Sequence, residues 1–393
     1  MHYPNAFVAV LLEQTKPAVE NVVIEFLRTP KGCLILHLLI PKSPKVHYTA
    51  SDDCYIRKNA QKIKIKGERV TSLGYSKGAE PYEKKAIGNV EIEDILDSKY
   101  FLDYIKRVGS EQEPIKFLRK QGLLTKNSGS FTPNVASVLL FDEDSQSSLG
   151  TRSAIKVYRL RTTDEEYNRD HLVEMPKTIH GPIENQIAGV IKQVKEYVDG
   201  VSYREGDNLI KMYYPAEALK EVLVNAVIHR DYSLNDDIHV RIYDNRIEIS
   251  SPGRLPGPMT IQNIYDERFS RNPTIVRMLH NLPNPLNHDI GEGLNTAKNE
   301  LRKVGLVPPS FSEKESSFVV TIKHQRIASI EDIILNYFKE NPSGSLTNKV
   351  IREMSGETDM QKVKVALQKL RATGDIKVKD PKANSFNYSY VKS

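Results

Sequence analysis

Residues 218–231 read Ala-Leu-Lys-Glu-Val-Leu-Val-Asn-Ala-Val-Ile-His-Arg-Asp, an amphipathic helix whose spacing constrains what the rest of the chain can build around it. Leu219, Val222, Leu223, Ala226 and Val227 recur at the intervals of a core-facing stripe, and Pro215 suits the first turn. Glu221, Asn225 and His229 fall one turn apart on a polar face. A carboxylate in that position can orient or deprotonate a water, and an amide oxygen beside it can hold a hard cation such as Mg²⁺. The alternative is an ordinary solvated face, because four-residue polar spacing is common on amphipathic helices.

The segments that follow narrow the choice. Residues 238–243 and 247–250 alternate like strands around Asp244-Asn245-Arg246, a hairpin signal, and run into Ser251-Pro252-Gly253-Arg254-Leu255-Pro256-Gly257. Arg271-Asn272-Pro273 comes next. Gly291-Glu292-Gly293 then precedes a helical pattern at Leu294, Ala297, Leu301 and Val304, a turn able to present backbone N–H groups to phosphates.

In this order, the Glu221 to Tyr232 run, Ser251-Pro-Gly, Arg271-Asn-Pro and Gly291-Glu-Gly293 resemble the divergent Bergerat-fold, GHKL-like ATPase domain of bacterial and archaeal Schlafen AlbA-type proteins. That domain is commonly labelled as related to the C-terminal part of the RecG helicase. The resemblance implies ATP and Mg²⁺ as cofactors. It assigns Glu221 to activation of the hydrolytic water and Asn225 to the metal. Ser251, Gly253, Arg271 and Asn272 become nucleotide contacts, and Gly291 and Gly293 part of a lid over the phosphates. The wider class places an Asp before the first glycine after the hairpin to recognise adenine, where this chain has Ser251. Binding without rapid turnover, or of another nucleotide, is therefore an open alternative.

Two other motor or transfer chemistries find no support. The G-x-x-x-x-G-K-[ST] phosphate loop of a helicase motor is absent from the sequence. His229-Arg230-Asp231 matches three letters of the kinase catalytic loop, but the fifth residue after Asp231 is Asp236 rather than Asn. His229 also suits a helix C-terminus through the dipole.

The chain has 393 residues, 39% hydrophobic and 27% charged, enough for two or three soluble domains. Its longest strongly apolar run, residues 33–40, is too short to span a bilayer. The opening residues carry no secretory or lipidation pattern, and two cysteines, Cys33 and Cys54, give neither a disulfide framework nor metal-ligand spacing. Both are expected to be packed thiols in a reducing cytoplasm.

Of the net charge of +6, much lies in the tail, where residues 341–393 hold ten Lys or Arg against five Asp or Glu. Helical patterns at residues 333–338, 346–354 and 363–370, with Asp359 capping the third, precede two strands around Asp380-Pro-Lys-Ala-Asn384. Three helices and a hairpin are the pattern of a winged helix. Its third helix would carry Gln361, Lys362, Lys364, Gln368 and Lys369 to double-stranded DNA, with Lys377, Lys379 and Lys382 on the wing. Winged helices also serve as protein-contact modules.

The front resembles the later half of an AlbA-like domain, in which a buried strand (residues 32–40) leads to Tyr55-Ile56-Arg57, while the earlier half has no counterpart. Residues 66–90 read as a connector, 92–108 and 114–124 as helices, 133–141 and 154–161 as strands, and Gly181-Pro182-Ile183 as a helix start. The expected fold is α+β and multidomain: a partial AlbA-like domain (1–75), an α/β middle segment (76–205), the Bergerat-type ATPase domain (206–326) and the winged helix (327–393). The expected function is an ATP-binding, ATP-hydrolysing DNA-binding regulator of transcription. Two alternatives are a defence component against phage or mobile DNA, acting with a partner that supplies the missing half-domain, and a non-catalytic scaffold. A homo-oligomer is expected, and no membrane.

Overall fold

A computed structural model describes residues 14–393 except 128, 201, 206, 207, 212, 288–292, 326–328, 356–358 and 381–387; within 201–212 only the backbone of two strands is described. The fold is mixed α+β and divides into two units, residues 1–324 and 325–393. No helix among the described residues is long and apolar enough to cross a membrane.

After a short strand at Thr15–Lys16 that pairs with Tyr48–Thr49, the first unit has two hairpins, β1 (Val23–Arg28) with β2 (Leu34–Leu39), then β3 (Cys54–Lys58) with β4 (Gln61–Ile65). The expected buried strand is not buried: Leu34 is 62% exposed, and Phe26, Ile35 and Leu39 are each more than half exposed. Apolar composition cannot reveal this, because a two-stranded ribbon has no second layer of its own to cover it. Cys33 is accordingly exposed, whereas Cys54 is packed, with burial pushing its thiol pKa up. The expected connector contains a helix, α1 (Glu68–Lys77), which stops at left-handed Gly78. Only Gly74 in it is buried, so it lacks the apolar periodicity that reveals a helix in sequence.

The middle helices are shorter than the pattern suggests. Ser98 accepts from the Tyr100 N–H and starts α2 (Lys99–Val108) afresh after a short helix at Ile92–Leu96. Pro114–Lys120 is helical, but a strand begins at Leu124. Residues 133–141, expected as a strand, form α3 (Val135–Phe141), capped by Asn134, whose side chain accepts from the Ser137 N–H. All seven residues of α3 are buried, and a fully buried helix has no polar face to betray its period.

The core of this unit is a six-stranded sheet in the order β6-β5-β7-β8-β10-β9. Its strands are β5 (Ile155–Arg159), β6 (Lys177–Ile179), β7 (Ile238–Ile242), β8 (Arg246–Pro252), β9 (Ser310–Glu313) and β10 (Ser317–Lys323). Only the β5–β7 pair is parallel. Thus β5 and β6, from the middle segment, belong to the same sheet as the β7–β8 hairpin. Ile238, Val240 and Ile242 alternate onto the buried face, the pattern of a half-covered strand. Helix α4 (Ile183–Asp199) packs against β5 and β7, and α5 (Ala216–Ile228) against β8. Helices α6 (Pro273–His280) and α7 (Gly293–Lys303) follow, α7 lying along α5.

The second unit comprises α8 (Ile330–Glu340), β11 (Leu346–Thr347), α9 (Asn348–Ser355), α10 (Met360–Ala372), β12 (Ile376–Val378) and β13 (Ser389–Lys392), with a sheet in the order β11-β13-β12. Ser329 and Asp332 form a reciprocal cap on α8, and Asp359 accepts from the Gln361 N–H at the start of α10. Ile334, Phe338, Ile351, Val363, Leu367, Leu370 and Ile376 make a separate core.

Candidate nucleotide site

Helix α5 forms because Pro215 precedes a run of strong helix formers, and it ends where His229 takes the C-cap. Its apolar side chains bury almost completely, at about 1.5–3 kcal/mol for each large one. The polar face is covered as well. Gly293, the first residue of α7, sits so close that a Cβ there would overlap Glu221 Oε2 and come within 3.0 Å of Asn225 Nδ2. Glu221 is therefore 5% exposed, and the bland reading of a solvated helix face does not apply to it.

Glu221, Asn225, Ser251, Gly253 and Gly293 line one cavity of about 330 Å³ whose remaining wall is largely apolar. The sheet supplies Ile249, Phe318 and Val320 as its floor. Such a cavity, apolar with a few convergent polar groups, suits a small organic ligand. Of the other expected contacts, Gly291 lies outside the described residues. Arg271 and Asn272 stand behind the wall rather than in it. Arg271 donates to Ser76 O (3.1 Å) and Arg254 O (2.7 Å) and pairs with Asp231 at 3.7 Å. Asn272 Nδ2 donates to Ile228 O (2.9 Å) and Arg230 O (2.8 Å). Both were expected at the ligand; Asn272 instead serves carbonyls of the turn after α5, and Arg271 serves carbonyls at the end of α1 and just after β8.

The His-Arg-Asp tripeptide has a structural explanation. Arg230 Nη2 donates to Arg152 O, Leu234 O and Asp236 O. The Asp231 N–H donates to Pro252 O (2.9 Å), its Oδ1 accepts from Ser233, and Ser251 Oγ donates to Ala226 O (2.7 Å). These bonds lock the end of β8 onto the end of α5. Gly253, at φ +100°, makes the lock possible, since a Cβ there would overlap the Arg271 guanidinium and lie 2.6 Å from Asp231 Cβ. His229 differs from its neighbours: half-buried and lining the cavity, it is held neutral with its pKa lowered to about 4, by burial and then by the Arg271 charge.

Two features of the wall lay beyond the sequence reading. Lys42, after β2, donates to Leu255 O (2.5 Å) and Met259 O (3.0 Å), and burial lowers its pKa. The Gly257 N–H donates to Lys77 O (2.8 Å), and the Phe269 ring is so close to Gly78 and Gly257 that a Cβ on either would overlap it. The only sequence signal was the pair of glycines. Glu83 was also missed. Fully buried, it accepts from the Thr274 N–H (2.7 Å) and the Ile275 N–H (3.0 Å) and caps α6 from nearly two hundred residues away.

Among the described residues no three His, Cys, Asp or Glu side chains gather as a metal site. One amide beside one carboxylate nevertheless suits Mg²⁺, which keeps several waters and relies on substrate phosphates for other ligands.

In the second unit, the side chains of Gln361, Lys362, Lys364, Gln368 and Lys369 are exposed on α10, and Lys377 and Lys379 on and after β12. Lys369 pairs with Glu331 at 3.3 Å, and Lys382 lies outside the described residues.

Part of the first unit is similar to an ATPase-type domain family. Residues 235–322 match the family model described as "Putative ATP-dependent DNA helicase recG C-terminal", which supports ATP binding. The matched segment contains β7, β8 and α7 but begins after α5, which brings Glu221 and Asn225 into the same cavity. No curated protein matches the chain. Among solved structures, the DIP2311 protein from Corynebacterium diphtheriae is similar at 16% identity and a TM-score of 0.48, over 97% of this chain and 77% of that one.

Proposed function

We propose that the cavity binds ATP with Mg²⁺ and hydrolyses it, and that the second unit is a winged helix that binds duplex DNA under the control of nucleotide state. The observation that carries the reading is the closeness of Gly293, at the α7 N-terminus, to Glu221 and Asn225, all three lining a largely apolar cavity. Helix N-termini attract phosphate through their N–H groups and dipole. Glu221 orients and deprotonates the attacking water, Asn225 holds the cation, and the apolar wall excludes bulk water. Bound Mg²⁺ supplies charge neutralisation for the transferring phosphoryl group.

The basic face of α10 and the lysines around β12 support the DNA half of the proposal. Linkage requires ATP and DNA to change each other's affinity by one factor. The test is ATP binding and turnover by the wild-type chain, Glu221→Ala and Asn225→Ala, with DNA titrations across salt. Turnover lost with binding kept in Glu221→Ala, and Mg²⁺-dependent binding weakened in Asn225→Ala, supports the site. Neutralising Lys362 and Lys364 should flatten the salt slope. Absence of nucleotide binding in all three proteins refutes the ATPase reading. A second reading, a defence component working with a partner chain that adds strands to the front domain, is favoured by the exposed apolar β1–β2 ribbon, whose outer edges are unpaired among the described residues.

A further inference from the structure

The surface of α10 is divided lengthwise. Gln361, Val365, Gln368 and Ala372 are spaced by four, three and four residues, so they return to one side of the helix and form a narrow stripe. All four are exposed, Val365 at 53%. The opposite side, Val363, Ala366, Leu367 and Leu370, is buried. Between the two, Lys362 and Lys369 flank the stripe on one side and Lys364 and Arg371 on the other.

The helix therefore presents a neutral line between two rows of cations. Of its thirteen residues four are basic and none is acidic. The nearby carboxylates are committed: Asp359 caps the helix, and Glu331 pairs with Lys369 at 3.3 Å. A helix laid in the major groove of duplex DNA meets the same division. Its outermost line faces base edges, which offer donors, acceptors and the thymine methyl, while its two sides face phosphate backbones that attract ammonium and guanidinium groups.

The composition of the stripe decides which bases suit it. A glutamine amide matches the adenine edge, which pairs an acceptor at N7 with a donor at N6, and small apolar side chains such as Val365 and Ala372 match the thymine methyl. The stripe holds no cation to read guanine and no carboxylate to read cytosine. From Gln361 to Gln368 the helix rises about 10 Å, which is about three base-pair steps.

We propose that Gln361, Val365 and Gln368 read a core of about four A·T-rich base pairs through the major groove, the glutamines on adenine and Val365 on a thymine methyl. This rests on the reading of the second unit as a winged helix that binds duplex DNA, and it assigns the sequence class of that DNA. The flanking cations hold the backbones and carry affinity without sequence.

The test is selection of duplexes from a randomised library by the full-length chain, followed by fluorescence-anisotropy titration of the enriched duplex. The enriched core is A·T-rich and binds about tenfold tighter than a duplex with that core changed to G·C. Two base analogues then read single contacts. 7-Deazaadenine, which lacks the N7 acceptor, weakens wild type about fivefold and leaves unchanged the one of Gln361→Ala and Gln368→Ala that has lost the contact. Uracil in place of thymine, which lacks the methyl, weakens wild type about threefold and leaves Val365→Ala unchanged. These side chains are exposed and alanine favours a helix, so the variants keep the fold. Lys364→Gln weakens A·T and G·C duplexes alike and reduces the salt slope by about one. A G·C-rich enriched core, equal loss on both duplexes in the glutamine variants, or analogues that act on the variants as on wild type overturns the proposal. If wild type binds duplex without preference, only the base reading falls; if it binds no duplex at low salt, the DNA reading of the second unit falls with it.

Discussion

Replacing Gly253 with alanine tests the lock between α5 and β8. Gly253 has φ +100°, and an added Cβ would meet both the Arg271 guanidinium and Asp231 Cβ, at 2.6 Å for the latter. Backbone strain of this kind costs about 1–3 kcal/mol. Forcing a methyl into a packed site costs about 1–3 kcal/mol more. The total is about 4 kcal/mol, a large part of a stability of about 5–15 kcal/mol. Gly181 separates the two contributions: its φ is +95°, yet the nearest atom to an added Cβ is Glu143 O at 3.6 Å, an ordinary contact. Gly181→Ala should therefore cost only the strain, about 2 kcal/mol. The assay is urea unfolding followed by far-UV circular dichroism, since the chain has no tryptophan to report by fluorescence. With a slope of about 3 kcal/mol per molar, the midpoint falls by about 1.3 M for Gly253→Ala and about 0.7 M for Gly181→Ala. Equal shifts at equal slope would refute the claim that Gly253 is held by contact with the Arg271–Asp231 pair.

Asn272→Ala should lose about 2–3 kcal/mol in the same assay, because it leaves Ile228 O and Arg230 O without the amide that serves them; a change below about 0.5 kcal/mol would count against that role. The His229 pKa, lowered from 6.5 to about 4 in the fold, means that the unfolded chain takes up the proton first. Stability is complete above about pH 6.5 and falls as pH drops toward 4, by at most about 3 kcal/mol, and a His229→Gln chain should lack that decline. Lys42→Met removes the ammonium that serves Leu255 O and Met259 O, and should weaken nucleotide binding several-fold by calorimetry while leaving the circular dichroism spectrum unchanged. Affinity equal to wild type would show that this strap does not shape the cavity.

The helix of residues 216–228 and the β7–β8 hairpin were legible because each obeys one strong local rule, helical apolar spacing in the first and strand alternation around Asp244-Asn245-Arg246 in the second. Helix α3 was not, because burial on every side erases the period, and α1 was not, because an almost unburied helix never acquires one. In the site, Glu221, Asn225, Ser251, Gly253 and Gly293 could be named from local motifs and do line one cavity. Lys42, Glu83 and Asn287 could not, since each acts on backbone groups distant in the chain or, for Asn287, in a segment without a recognisable pattern. Arg271 and Asn272 were legible as residues but not in role: sequence does not show whether a guanidinium or an amide faces a ligand or a carbonyl.

That difference in role follows a simple division across three consecutive residues. Arg230 and Asp231 spend hydrogen bonds on the turn after α5, and Asp231 also holds the end of β8. Once these bonds and those of Arg271 are made, one wall of the cavity is fixed in place before any ligand arrives, which lowers the ordering cost of binding. His229 is left with a ring nitrogen that the fold does not use. The opposite wall, residues 254–269, is knit internally around Asn263, is held by Glu313 and Asn295, and is also tied to Lys42, Ser76 and Lys77 from the front of the chain, either directly or through Arg271. A change in that front segment should thus reach the ligand through this wall, whereas a change at the α5–β8 lock should cost stability first.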